Sequence, residues 1–171
     1  MIDRDRFVWK YIDGIDPEEI SRVQKIVLDN IPRNSNFFQN LHFVDIDTFM
    51  GKKVQTVVLL QLEPRKNSII HIDDRVNGNV LVLNIPLENC EDSYTDIWKS
   101  SVPPEIRYTT NRVPYNFINK TKCTLIDRFT LTNPVLFRTD LPHSGNNSAN
   151  NKFRRAVSIR FEEDPWELID I

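Results

Sequence analysis

One segment near the N-terminus has the three- and four-residue apolar spacing of an amphipathic helix, with a stripe formed by Ile20, Val23, Val27 and Ile31. Asp16 is suited to cap its N-terminus, Pro17 suits the first helical position, and Glu19 is placed for a capping box. Pro32 should end the helix. We therefore expect one helix, with its apolar face packed on the rest of the protein.

The remaining apolar segments are short, β-branched and bounded by turn residues, which is typical of strands. The candidate strands are residues 53–62, 68–73, 79–87, 106–110, 121–127, 135–139 and 154–161. Residues 90–119 contain three prolines and are predicted to be an insertion or long loop. The polar run 144–152 is predicted to be a turn. This pattern favours a sandwich or jelly roll over alternating βαβ units.

Composition and charge narrow the range of functions. The chain has 171 residues, which suits one domain (1–171) with a core at roughly 53–162. Its net charge of −2 and pI near 5.9 give no basic footprint for nucleic acid. The two cysteines lie in unrelated segments, and no apolar run approaches the length of a membrane span. We expect a cytoplasmic protein with no nucleic-acid or membrane partner; the oligomeric state stays open.

A His-x-Asp pair, His71 and Asp73, follows the apolar residues Ile69 and Ile70. Residues two apart on a strand point the same way, so both side chains can enter one cavity. A second histidine, His143, comes just after the predicted strand at 135–139. Two imidazoles and one carboxylate on one face of a metal suit non-haem Fe(II) and leave coordination positions open.

Four motifs in this order, HIDD, LNIPLENCEDSYTDIW, LPHSGNN and RRAVSIRF, resemble the core of the 2-oxoglutarate/Fe(II)-dependent dioxygenase superfamily. The resemblance covers roughly residues 55–162 and is strongest to small prolyl- and aspartyl-hydroxylase-like members. It implies a mainly β fold, a double-stranded β-helix (a jelly-roll or cupin-like barrel), with the helix packed outside. It also implies Fe(II), 2-oxoglutarate as co-substrate and O₂, in an enzyme that hydroxylates a peptide side chain or a small metabolite.

Carried over to this sequence, the resemblance implies that His71, Asp73 and His143 are the iron ligands of the catalytic centre. Arg154 resembles the arginine that holds 2-oxoglutarate in this superfamily. An arginine suits this role because a guanidinium can bind a carboxylate through two hydrogen bonds. Arg155 is its rival for this role.

Strand alternation separates the two arginines, since it groups Arg154 with Ser158 and Arg160. It groups Arg155 with aliphatic and aromatic residues expected to face the second layer of the sandwich. Ser158 could therefore share the carboxylate with Arg154. Asn84, on the strand after His-x-Asp, is a candidate second anchor.

Two other functions stay open at this stage. One is a non-catalytic jelly-roll module, for binding or structure, that retains a metal site. The other is a cupin-like metalloenzyme, although cupins usually offer three histidines and a glutamate. This chain has three histidines, and His42 lies outside any matching motif.

Overall fold

The computed structural model describes residues 3–30, 38–40, 46–73, 78–109, 112 and 114–169. These residues form thirteen strands and one α-helix, and the predicted mainly β architecture is confirmed. In chain order the elements are β1 Trp9–Tyr11, α1 Pro17–Asn30, β2 Phe38–Asn40, β3 Thr48–Phe49, β4 Lys52–Leu62, β5 Ile70–Ile72, β6 Leu81–Glu88, β7 Tyr94–Ser100, β8 Glu105–Tyr108, β9 Pro114–Ile118, β10 Cys123–Thr130, β11 Val135–Arg138, β12 His143–Asn146 and β13 Arg154–Phe161. Short 3₁₀ turns lie at Lys120–Lys122 and Trp166–Ile169.

The strands form two antiparallel sheets. The first sheet has the order β1-β11-β6-β13-β4-β2, with β3 also paired to β4. The second has the order β10-β7-β12-β5-β9-β8. From β4 onwards the chain passes repeatedly between the sheets, with β4, β6, β11 and β13 in the first and β5, β7, β10 and β12 in the second. This winding is that of a double-stranded β-helix.

Helix α1 covers the outer face of the first sheet, as predicted. Val23 and Val27 are fully buried in one apolar cluster with Val157, Ile159 and Phe161 of β13. The aliphatic and aromatic face of β13 therefore packs against the helix layer. Our expectation that it would face the second sheet is wrong, because the helix supplies the apolar cover on that side.

The N-terminus of α1 begins at Pro17, and the Asp16 carboxylate accepts a hydrogen bond from the Glu18 backbone N–H at 2.9 Å. The predicted capping box is replaced by a tertiary contact, since Glu19 accepts from the Met50 backbone N–H at 2.7 Å. Ile31 and Pro32 lie outside the described residues. No helix in the described part of the chain is long and apolar enough to cross a membrane.

The space between the sheets is filled at one end by a second apolar cluster. It contains Val82, Cys90, Ile97, Phe129, Leu131, Val135, Phe137 and Ala156. These side chains come from both sheets and hold the barrel closed, and the cluster adjoins the polar site, since the Phe137 ring centroid lies 5.4 Å from that of His143.

Two predicted loops contain strands in the structure. Residues 90–119 contain β7, β8 and β9, and β7 is an interior strand between β10 and β12. The loop was predicted from the three prolines. Two of them (103 and 104) lie in the β7–β8 connection and the third (114) starts β9, and at these places a missing N–H is tolerated. Residues 144–146 belong to β12. Their polar side chains are satisfied across the sheet, as when Ser144 accepts a hydrogen bond from Trp98 Nε1 at 2.9 Å.

Candidate metal centre

Two neighbouring strands of the second sheet bring the predicted ligands together. His71 on β5 and His143 at the start of β12 are direct cross-strand partners, and their ring centroids lie 4.4 Å apart. Asp73 follows β5, where its backbone N–H donates to the Thr139 carbonyl at 3.0 Å. One ligand atom from each of the three side chains lies within 4.8 Å of the others, an arrangement that could hold a metal ion.

Both histidines are oriented by backbone carbonyls. His71 Nδ1 lies 3.1 Å from the Ile69 oxygen, and His143 Nδ1 lies 2.8 Å from the Leu141 oxygen. A carbonyl can only accept, so each Nδ1 carries a proton and each Nε2 is the ring nitrogen left to face a metal. Asp73 Oδ1 lies 3.4 Å from Nε2 of His71 and 3.8 Å from Nε2 of His143. Two Nε2 atoms and one carboxylate oxygen therefore surround one point.

The electrostatics of the cluster affect the three side chains differently. Burial opposes ionisation of Asp73, but the hydrogen bond from His71 and the positive charges of His143, His71 and Arg160 outweigh it and lower its pKa to about 2. Burial and the neighbouring His71 lower the pKa of His143 to about 4. The pKa of His71 is raised above 6.5, since the hydrogen bond and charge of Asp73 outweigh the effect of burial. Near neutral pH the carboxylate is ionised and His143 is neutral.

Arg160 contacts the cluster directly, which the sequence analysis did not predict. Its Nη2 donates to Asp73 Oδ2 at 3.2 Å. The sequence did indicate, through alternation along β13, that Arg160 shares a face with Arg154. The partner could not be predicted, because it depends on how the end of β5 meets β13 across the barrel.

Arg154 reaches from the first sheet to the second. It is 5% exposed, and its Nη1 and Nη2 donate to the Tyr94 carbonyl and to Thr95 Oγ1, both at 3.1 Å. Its Nε finds no acceptor, no carboxylate lies within ion-pair distance of it among the described residues, and the buried Cys90 thiol lies beside the guanidinium. Burial lowers its pKa. A buried guanidinium with donors to spare is suited to receive the carboxylate of a ligand.

Arg154 also lies within reach of the metal-binding cluster. Its partner Thr95 pairs with Gly145 on β12, and Ile97, two residues along β7, pairs with His143. Two residues of strand correspond to about 7 Å, a gap that a five-carbon dicarboxylate can bridge.

Gly145 makes room for this arginine. A Cβ at this position would lie 2.5 Å from Leu62 Cδ1 and 3.3 Å from Arg154 Nη1.

The remaining predicted residues divide between the two faces of the first sheet. Arg155 is on the opposite face from Arg154, where its Nη1 contacts Glu88 Oε2 at 2.5 Å and its Nε donates to Gln61 at 2.7 Å. Ser158 and Asn84 are cross-strand partners on β13 and β6. Asn84 is 2% exposed, and its Oδ1 has no hydrogen-bond donor in the described part of the chain.

Comparison with known proteins supports the fold. The sequence matches no family model, and it has no detectable match among curated proteins. Among solved structures the chain is similar to EvdMO1, with a TM-score of 0.53 and 13% identity over 93% of this chain. The chain spans 48%, about half, of the EvdMO1 chain.

The chain is also similar to two structures whose descriptions refer to nogalamycin. SnoN, an epimerase solved in complex with Fe³⁺, α-ketoglutarate and nogalamycin RO, has a TM-score of 0.54 and 10% identity over 93% of this chain and 80% of its own. SnoK, a non-haem α-ketoglutarate-dependent carbocyclase from nogalamycin biosynthesis, has a TM-score of 0.54 and 11% identity over 95% of this chain and 84% of its own. The fold implied by the resemblance of the four motifs is thus confirmed. This chain has the double-stranded β-helix fold of non-haem Fe/2-oxoglutarate-dependent enzymes.

Proposed function

We propose that this protein is a non-haem Fe(II)/2-oxoglutarate-dependent oxygenase that hydroxylates a peptide side chain or a small metabolite. The observation that carries the proposal is the convergence of His71, Asp73 and His143, with both Nε2 atoms facing one ionised carboxylate. Two histidines and one carboxylate with open positions are the donor set of non-haem Fe(II) oxygenases. The fold neighbours SnoN and SnoK are compatible with this assignment.

The residues of the barrel interior fit 2-oxoglutarate. Arg154 would receive the carboxylate remote from the metal, because its buried guanidinium has unused donors and no ionic partner among the described residues. Ser158 and Asn84 lie on the inner face of the first sheet and would offer further hydrogen bonds. Arg155 is already engaged by Glu88 and Gln61, so the structure favours Arg154 for this role.

Iron together with 2-oxoglutarate and O₂ supplies oxidative decarboxylation coupled to attack on a substrate C–H bond. The chain itself would hold the metal through Asp73 and the two histidines, whose orientation is fixed by the Ile69 and Leu141 carbonyls. The buried apolar residues between the sheets exclude water from one side of the site. Arg154 on β13 would hold the co-substrate by its remote carboxylate.

The deciding experiment is an anaerobic titration of the purified protein with Fe(II) and then 2-oxoglutarate. We expect a visible charge-transfer absorption that saturates at one equivalent of each and is absent in His143→Ala. On admission of O₂, slow formation of succinate without added substrate would identify an active enzyme. Unchanged metal affinity in His143→Ala would contradict the assignment.

The same titration separates the alternatives. A binding module that retains its metal site would form the absorbing complex but yield no succinate in air. A cupin-like enzyme would bind a divalent metal and give no absorption with 2-oxoglutarate.

A further inference from the structure

Arg160 is the one charged neighbour of the metal cluster, among the described residues, that the proposed function does not use. It extends from β13 towards the end of β5, and its side chain is 12% exposed. Nη2 donates to Asp73 Oδ2 at 3.2 Å, whereas the buried Nη1 finds no acceptor among the described residues. An unsatisfied buried donor costs free energy, which indicates that a bound ligand supplies the acceptor.

The two oxygens of Asp73 have different surroundings. Oδ1 is the atom nearest the imidazoles, at 3.4 and 3.8 Å from the two Nε2 atoms. Oδ2 is occupied by the hydrogen bond from Arg160. A carboxylate oxygen that accepts from a guanidinium is less available to a metal, so the other oxygen is the favoured ligand atom. Compared with two-oxygen binding, this leaves one more position on the metal open.

The free donor lies beside the same cluster. Nη1 and Nη2 are attached to one carbon of a rigid planar group, so Nη1 is also close to Asp73. A carboxylate bound to the metal next to Asp73 would therefore come within reach of it. Arg154 is not a competitor for this end of the ligand, because it is six residues away on β13 and is bonded to β7.

We propose that Arg160 is a positioning residue that restricts Asp73 to single-oxygen metal binding and donates Nη1 to the carboxylate of the metal-bound ligand. The proposal rests on the proposed function, since it needs a metal at His71, Asp73 and His143. A simpler role would be neutralisation of Asp73 in the metal-free protein. The two roles predict different effects on anion binding.

The test uses Mn²⁺ and oxalate as probes with Arg160→Met, Arg160→Lys and the control Arg155→Met. Oxalate chelates a metal through two adjacent carboxylates and is too short to reach Arg154. Arg155 is a matched control because it lies on the same strand, with an ion pair on the opposite face. Calorimetry measures Mn²⁺ affinity and then oxalate affinity at saturating Mn²⁺, and circular dichroism verifies folding.

We expect Arg160→Met to bind Mn²⁺ as tightly as the wild type or several-fold more tightly, because a neighbouring cation is lost and Asp73 gains a second free oxygen. Its oxalate affinity should fall by roughly 10- to 100-fold, the loss typical of a charged hydrogen bond. Arg160→Lys should restore part of the oxalate affinity. The Arg155 variant should match the wild type in both measurements.

A loss of oxalate affinity without a loss of Mn²⁺ affinity would not arise from a merely structural role. Unchanged oxalate affinity in a folded Arg160→Met protein would overturn the inference and leave the proposed function intact. A parallel loss of Mn²⁺ and oxalate affinity in both Arg160 variants would also overturn it. A wild-type protein that binds no Mn²⁺ would refute the proposed function, and the role of Arg160 with it.

Discussion

His71 and His143 are direct partners across β5 and β12, although they are far apart in the sequence. Both present Nε2 to the same point because each Nδ1 is held by the carbonyl two residues earlier. The ligand geometry is thus set by backbone pairing and local hydrogen bonds. The two imidazoles nevertheless differ in their proton affinity, since only His71 has Asp73 as a close hydrogen-bond partner.

This difference predicts the pH dependence of metal binding. Metal competes with protons for Nε2, and the pKa of His71 is raised above 6.5 whereas that of His143 is lowered to about 4. As the pH falls through the His71 pKa, Mn²⁺ affinity should decrease about tenfold per pH unit, the slope of one proton. The slope should steepen near pH 4, where His143 also protonates. Asp73, with a pKa of about 2, should add nothing in this range.

Calorimetric titrations with Mn²⁺ between about pH 8 and pH 5 measure this slope. An affinity that is constant over this range would contradict the assignment of the two imidazoles. An affinity that already falls with a two-proton slope near pH 8 would contradict it as well. His71→Ala serves as the control, because its weaker residual binding should lose most of the dependence above about pH 5.

Arg154 should be required for 2-oxoglutarate binding and dispensable for the metal. Replacement by methionine removes a charged hydrogen bond to a carboxylate, worth about 1.5–3 kcal/mol. We expect 2-oxoglutarate affinity to fall by roughly 10- to 100-fold in the presence of Mn²⁺, with Mn²⁺ affinity unchanged. Calorimetry measures both constants. Arg155→Met, which breaks the contacts with Glu88 and Gln61, should bind 2-oxoglutarate like the wild type. The reverse result would make Arg155 the anchor.

Gly145 should be required for the position of Arg154. In Gly145→Ala the new Cβ meets Leu62 Cδ1 at 2.5 Å and Arg154 Nη1 at 3.3 Å unless these atoms move. Leu62 is buried, so the overpacking should lower the free energy of unfolding by about 1–3 kcal/mol. Displacement of the guanidinium should also weaken 2-oxoglutarate binding.

Urea denaturation and calorimetry test the two effects separately. Adding Leu62→Ala to Gly145→Ala removes the closer contact and should recover part of the stability relative to the sum of the single changes. A fully additive double variant would mean that the two side chains do not meet. Mn²⁺ affinity should stay within a few-fold of wild type in all three proteins.

The sequence alone predicted the features that local patterns encode. Helix α1 was predictable from its apolar stripe, and the inward pair His71 and Asp73 followed from strand alternation. Strand β7 was not predictable, because Thr95 and Asp96 are buried polar residues whose partners come from β13, β10 and β12. A polar residue with a distant partner is indistinguishable in sequence from one that faces water.

The same limit applied to the site. His143 was identifiable from its motif, but the strand that it begins was interpreted as a turn, since Ser144 and Asn146 are satisfied by Trp98 and Asp96. The contact between Arg160 and Asp73 joins the ends of two strands in different sheets. Contacts of this kind follow from the closure of the barrel, for which single-strand periodicity carries no information.

The apolar face of α1 should contribute stability without affecting the metal centre. Val27 is fully buried in the cluster on the outer face of the first sheet, whereas the neighbouring Leu28 is 39% exposed. Val27→Ala should lower the free energy of unfolding by about 1–3 kcal/mol through lost burial and a cavity, while Leu28→Ala should change it by less than about 0.5 kcal/mol. Urea denaturation measures both values. Because the β13 residues that contact α1 and those that face the metal alternate, Mn²⁺ affinity should be the same in both variants. Equal destabilisation by the two substitutions would show that α1 packs on the sheet in a different orientation.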